Sequence, residues 1–293
     1  MHFLLLAGFF GFSMAMPFDQ AEIRTRDRSK YSDDFARNTF FPLAMGAYES
    51  DPQACVTSGI QGKVKRLINV QCDVDKKDTC AGFTASSDSL KAIVLAFRGT
   101  SRDSQLVIEI LDAIKEMTPF GGGGVAYYFY KGFMSVWNGG LKDDFLTLRQ
   151  QYPDYEIWVT GHSLGASMAA IAADYLAINY KPDMTKFKLM TFGEPRTGNA
   201  SYATAHDARL PFSFRVVHNH DIVPQLPFQW MGYHHHSVEV WYPNKMAVGQ
   251  PFKICAQQED QSCQDGQLDV WIPDHDDYFD IADDWVGKGC PRK

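Results

Sequence analysis

Four short segments, KAIVLAFRG (91–99), YEIWVTG (155–161), KLMTFG (188–193) and FSFRVVHN (212–219), are nearly continuous in apolar residues and rich in β-branched and aromatic side chains. Runs of that kind form strands covered on both faces. Between them, 131–151 and 164–180 carry helical patterns, so strand and helix alternate as in an α/β sheet. Upstream, polar and helix-forming residues over 24–50 predict a helix, and β-like segments at 63–70 and 81–86 predict a hairpin. Open sheets of this class bind ligands at the carboxyl ends of their strands. Chemistry should therefore be sought just after a strand.

The amino end has a different pattern. An apolar run from Phe3 to Phe12 is followed by Ser13-Met14-Ala15, the small-x-small sequence cut by signal peptidase. The run is well short of the about 20 residues that span a bilayer, so residues 1–15 read as a signal peptide and 16–293 as one domain. Export makes disulfides the natural state of Cys55, Cys72, Cys80, Cys255, Cys263 and Cys290, with free buried thiols the alternative. Cys72 with Cys80 and Cys255 with Cys263 would close short loops, leaving Cys55 for Cys290. Asn199-Ala200-Ser201 is a glycosylation sequon available to an exported chain.

Over 293 residues, 45% are hydrophobic and 22% charged, enough for one substantial core and incompatible with a disordered or fibrous chain. A formal charge of -7 with no Lys/Arg-rich block argues against a nucleic-acid partner.

Directly after YEIWVTG the chain reads Gly161-His162-Ser163-Leu164-Gly165, and an Ala-rich helical pattern follows. Strand, Gly-x-Ser-x-Gly, helix displays a serine hydroxyl on a sharp turn above a helix N-terminus, where an oxyanion is favoured. The glycines are needed because a Cβ there would collide with the neighbouring strand or helix. An ordinary turn is the alternative for the motif alone; the flanking strand and helix decide for the nucleophile.

A serine hydroxyl needs a histidine oriented by a carboxylate, and in this arrangement the chain order is serine, acid, histidine. Asp221 follows a strand within HNHDIVPQLP and takes the acid's place; Asp207, in a polar helical stretch, reads as a solvated surface residue. Downstream lie His234, His235, His236 and His275. Three consecutive side chains cannot point the same way on a strand, which sets the triplet aside as a metal site, and it runs into SVEVWY at a strand's entry, away from the expected catalytic edge, which sets it aside as the base. His275, the last histidine, within WIPDHDDYF, is taken as the base.

With these residues in place the chain resembles the class 3 (fungal-type) lipases, secreted triacylglycerol lipases of the α/β-hydrolase fold. The resemblance is carried by FRGT (97–100), KGF (131–133), VTGHSLGA (159–166), TFGEPRTGN (191–199), HDIVPQLP (220–227) and DHDDYF (274–279), and extends from about Tyr48 to Cys290. It implies a mostly parallel central sheet with helices on both faces and a helical lid. It also implies a Ser163, Asp221 and His275 triad, an oxyanion hole at Thr100 and Leu164, and a disulfide pattern similar to the one above. Over 101–117, Leu106, Val107, Ile110, Leu111 and Ile114 recur at helical spacing. Periodicity alone favours a helix fixed on the core, but the resemblance makes this the lid, with GGGG (121–124) as a flexible connection.

The implied activity is hydrolysis of lipid esters at a lipid–water interface by a secreted monomer that touches membrane or droplet surfaces transiently and uses no metal or cofactor. A phospholipase A1 or carboxylesterase with the same triad is the enzymatic alternative, and an inactive lipid-binding relative the alternative of another class. Near the carboxyl end, Asp274, Asp276, Asp277, Asp280, Asp283 and Asp284 lack the glycine and terminal glutamate of an EF-hand and read as a solvated acidic face. Such carboxylates would raise the pKa of His275 and repel released fatty acid anions.

Overall fold

The computed structural model describes residues 31–72, 79–100, 114, 116–267, 269–280 and 290. The signal-peptide segment, and the lid positions Leu106, Val107, Ile110 and Leu111, lie outside these residues.

The central sheet has eight strands, β1 (Lys63–Gln71), β2 (Thr79–Ser87), β3 (Ala92–Phe97), β6 (Glu156–His162), β7 (Phe187–Phe192), β8 (Ser213–His218), β9 (Glu239–Tyr242) and β10 (Lys253–Cys255), in that spatial order. From β3 to β9 neighbours are parallel, and the outer pairs β1–β2, β2–β3 and β9–β10 are antiparallel. A separate two-stranded ribbon is formed by β4 (Met117–Phe120) and β5 (Gly123–Ala126). The four segments read as doubly covered strands are β3, β6, β7 and β8, and β3 and β8 are buried throughout.

Period-2 alternation divides β3, β6 and β7 between two cores. Ile93, Leu95 and Phe97 of β3 join one cluster with α3 (Tyr127–Val136), α4 (Lys142–Gln151) and α5 (Leu164–Tyr180); Ala92, Val94 and Ala96 join another with α1 (Phe41–Gly46) and α2 (Gln53–Ile60). Helices thus cover both faces of a mostly parallel sheet. Register sets the working edge: Phe97 lies opposite Gly161, His162 opposite Phe192, and Phe192 opposite Val216, so the carboxyl ends of β3, β6, β7 and β8 are level.

Some local expectations change. The helix expected over 131–151 begins at Tyr127 and is interrupted over Trp137–Leu141, where Gly140 has φ 136°. GGGG (121–124) is not a flexible connection. Gly121 and Gly122, with φ 65° and 96°, form the tight turn of the β4–β5 hairpin, because successive positive φ values match the strand twist. The oxygen of the Asn199 carboxamide accepts from the Gly124 N–H (3.1 Å) and caps α6 (Ala200–Arg209) through the Tyr202 N–H (3.0 Å).

The three disulfides pair as the spacing indicated: Cys55–Cys290, Cys72–Cys80 and Cys255–Cys263. The first bridges a sequence separation of 235 residues, the second only 8. A cross-link stabilises chiefly by restricting the unfolded chain, and the effect grows with the loop it closes. Replacing Cys55 and Cys290 together by Ser should cost about 4–5 kcal/mol, against about 2–3 kcal/mol for the Cys72/Cys80 pair. Denaturant unfolding of the two double variants, compared with the parent, checks the order.

Candidate active site

β6 ends at His162 and α5 begins at Leu164, so Ser163 makes the whole turn between them, with φ 59° and ψ -134°. A non-glycine residue rarely adopts positive φ, and such strain persists only where its surroundings enforce it. Here the Ser163 N–H donates to the Phe192 carbonyl (3.0 Å), and the Ser163 carbonyl accepts from the Ala166 N–H (2.9 Å). Close approach on both sides excludes side chains at the flanking positions. A Cβ on Gly165 would lie 2.8 Å from the Gly99 nitrogen after β3, and one on Gly161 would lie 2.9 Å from the Ala166 nitrogen. Ala166, Ala169, Ala170, Ala172 and Ala173 are fully buried, letting α5 lie close on the sheet.

The loop after β8 carries Asp221, whose side chain is fully buried. The His275 Nδ1–H donates to both carboxylate oxygens, at 3.0 and 2.9 Å, although the residues are 54 apart in the chain. The Tyr278 hydroxyl donates to Oδ2 (2.7 Å), and the Val223 N–H to Oδ1 (2.9 Å). Burial works to raise the Asp221 pKa, but the His275 charge and hydrogen bond, the Tyr278 hydroxyl and the Val223 N–H outweigh it and hold the carboxyl below its usual range. For His275, burial disfavours the imidazolium, yet the charge and hydrogen bond of Asp221, aided by the charge of Asp276, hold the ring above its ordinary value. The expected influence of the acidic segment on His275 is thus present, through Asp276.

His275 lies in the short helix α7 (Pro273–Asp276), pinned to the β8 loop from both sides. The Trp271 N–H donates to the His220 carbonyl (2.7 Å), and the Asp274 carboxylate accepts from the His220 N–H and the Asn219 amide, both at 3.0 Å. Asp274 is therefore a fastener of the site rather than part of a solvated face; Asp276 is exposed, and Asp283 and Asp284 lie outside the described residues. The imidazole of His275 packs at 4.5 Å on that of His162, the residue before the serine. Ser163 Oγ and His275 Nε2 are both buried and have no hydrogen-bond partner among the described residues. Thr100 follows Gly99, where a Cβ would lie 3.0 Å from Ser163 Cβ, and Leu164 opens α5, where the first backbone N–H groups have no helical acceptor.

The remaining histidines and Asp207 are engaged elsewhere. Of the triplet, His236 Nε2 donates to Glu194 (3.0 Å), His235 Nε2 donates to the Pro224 carbonyl (2.6 Å), and His234 Nδ1 lies 3.9 Å from the Glu259 carboxylate. Asp207 is on a helix, as expected, but buried rather than solvated: it accepts from the Ser237 N–H (3.1 Å) and the Gln258 amide (2.6 Å). Sequence reasoning missed three residues of the site. Tyr278 stands in the DHDDYF motif, three positions after the histidine, where one helical turn could have suggested proximity. Gln264, whose amide donates to the Asp221 carbonyl (2.7 Å), and Tyr48, whose hydroxyl meets His162 Nδ1 (3.0 Å), carry no sequence signal.

Known proteins similar to this chain are lipases. The family profile described as Lipase (class 3) matches residues 94–231, a span that includes Ser163 and Asp221 but ends before His275. A lipase of Caenorhabditis elegans is 33% identical over 89% of this chain and 83% of its own length. A secreted mono- and diacylglycerol lipase of Penicillium cyclopium is 38% identical, covering 73% of this chain and 70% of the relative. Among solved structures, a lipase from Rhizopus microsporus var. chinensis superposes with a TM-score of 0.70 at 30% identity, covering 89% of this chain and 88% of the other.

The charge balance at His275 is directly measurable. NMR titration of its imidazole should give a pKa above the ordinary 6.5, because the negative partners favour the protonated ring. Asp276→Asn removes one of those charges and should move the titration to lower pH; no movement, or an upward one, would contradict the assignment.

Proposed function

The chain belongs to the class 3 lipase family and is a carboxylic ester hydrolase, and we propose that it cleaves lipid esters, triacylglycerols foremost, through an acyl-enzyme on Ser163. The observation that carries this reading is the buried Asp221–His275 pair beside a strained strand–serine–helix turn.

In the proposed mechanism His275 Nε2 takes the proton of Ser163 Oγ as that oxygen attacks the ester carbonyl. Asp221 holds Nδ1–H, fixing the tautomer that leaves Nε2 basic, and stabilises the imidazolium formed. Negative charge on the former carbonyl oxygen is met by backbone N–H groups of Thr100 and Leu164. His275 then returns the proton to the leaving alcohol oxygen, and water, activated by the same imidazole, releases the fatty acid. Every step is a proton transfer or an acyl transfer.

Segment 101–117 is proposed to cover the site as a lid; of its described residues, Ile114 is buried within the hydrophobic cluster that contains Leu164, and Met117 opens β4. Export of a single domain, 16–293, after removal of 1–15 is supported by the three disulfides, which persist in oxidising compartments, and by a relative named as secreted. In such a compartment Asn199 would accept a glycan on its amide nitrogen, whereas its capping bonds use the oxygen.

Hydrolysis of a panel of triacylglycerol, phospholipid and short-chain esters by wild type and Ser163→Ala tests the reading. Turnover should fall by about 10⁴-fold or more in the variant. A wild type that neither hydrolyses the panel nor reacts with a fluorophosphonate would instead be a lipid-binding relative. If 101–117 acts as a lid, the rate on a sparingly soluble ester should jump at its solubility limit; a smooth rise through that limit would remove the lid from the account.

A further inference from the structure

His162 occupies the variable position of Gly-x-Ser-x-Gly, where the turn itself asks for no particular side chain, yet it is buried and both ring nitrogens are engaged. Nε2 lies 3.0 Å from the backbone carbonyl of His275, and Nδ1 lies 3.0 Å from the Tyr48 hydroxyl. The Tyr48 oxygen in turn fills the space that a side chain on Gly99, the residue before Thr100, would need. One tyrosine and one histidine therefore touch the loop after β3, the serine turn and the histidine-bearing helix.

The direction of the chain follows from chemistry. A carbonyl can only accept, so His162 must carry its proton on Nε2. Burial, then the neighbouring His275 charge, pushes the His162 pKa down to about 3, so the ring is neutral and has a single N–H. Nδ1 is consequently a lone pair and must accept from the Tyr48 O–H. The His162 carbonyl, at 3.4 Å, is the more distant acceptor for the Tyr48 O–H, and turning the hydroxyl to it would leave Nδ1 unpaired.

We propose that Tyr48 and His162 are positioning residues for the reaction: the hydrogen bonds from the Tyr48 O–H to His162 and from the His162 N–H to the His275 carbonyl, with the Tyr48 oxygen seated against Gly99, lock the oxyanion loop, the nucleophile turn and the base into one register. Stacking of the His162 ring on the His275 ring at 4.5 Å sets the plane of the base as well as its position. The proposal rests on Ser163 and His275 acting as assigned above. Misplacing an oxyanion donor or the base affects the transition state more than substrate binding, so the loss should fall on kcat.

Tyr48→Phe keeps the ring and deletes the link to His162. His162→Gln retains an amide N–H for the His275 carbonyl but offers Tyr48 no acceptor at the Nδ1 position. With a soluble short-chain ester, and enzyme counted by fluorophosphonate titration of reactive serine, each variant should lose about 10–100-fold in kcat while KM stays within about 3-fold, a smaller loss than deleting an oxyanion donor outright. Because both break one chain, the double variant should be no more than about twofold worse than the poorer single. His162→Asn, which presents an acceptor near the Nδ1 position but does not reach the His275 carbonyl, should also lose kcat. Variants with kcat per titrated serine within twofold of wild type, or losses that multiply in the double variant, overturn the proposal. Should Ser163→Ala remain active, the assignment of the nucleophile fails and this chain has nothing to position. An inactive Ser163→Ala beside fully active Tyr48 and His162 variants sinks only the positioning role.

Discussion

Keeping one carboxylate ionised inside the protein is the constraint around which the site is arranged. An unpaired buried charge is costly, and Asp221 has no solvent access. Its charge is balanced by hydrogen-bond donors from several separate places: the Val223 N–H in its own loop, His275 at the end of a long excursion, and Tyr278 one turn beyond. A fourth contact, from Gln264, holds the Asp221 carbonyl. Satisfying Asp221 therefore draws the segment after β10 back across the carboxyl edge of the sheet. The same contacts that make the charge tolerable place the imidazole, so folding of this region and assembly of the site are one event.

Beneath that edge lies a second polar layer that does no chemistry on substrate. Glu194, fully buried, accepts from Thr191 (2.7 Å), Thr197 (2.8 Å) and His236 (3.0 Å). The Thr197 hydroxyl is also 2.9 Å from that of Ser167, on the helix that follows the nucleophile. His206, stacked on His236 at 3.8 Å, bridges Asp174 of α5 (2.8 Å) and Ser213 of β8 (3.0 Å). A fully satisfied buried network has few alternative arrangements. Here it fixes the loop after β7, whose Gly193 leaves just enough room for the Asp221 and His275 side chains. The histidine triplet that resembles a metal motif in the sequence belongs in part to this layer.

The sheet, the nucleophile turn and the order serine, acid, histidine were legible in the chain because each depends on short-range pattern. Doubly covered strands announce themselves by continuous apolar runs, and Gly161, Ser163 and Gly165 by a turn that tolerates few other sequences. What was misread locally failed for lack of context. Gly121 and Gly122 look like a flexible connection until β4 and β5 pair around them, and Asp207 looks solvated until the segments carrying Ser237 and Gln258 fold over it.

The amino-acid sequence by itself determined which residues have the chemistry of an ester hydrolase and at which ends of which strands they stand. Only the tertiary structure decided that Tyr278 shares the acid with His275, and that Tyr48 and His162 join three loops. Those contacts link residues 54, 57, 113 and 114 positions apart. Periodicity reports the face on which a side chain lies and nothing of what arrives there from across the chain, because that is settled by how the whole sheet closes over its two cores.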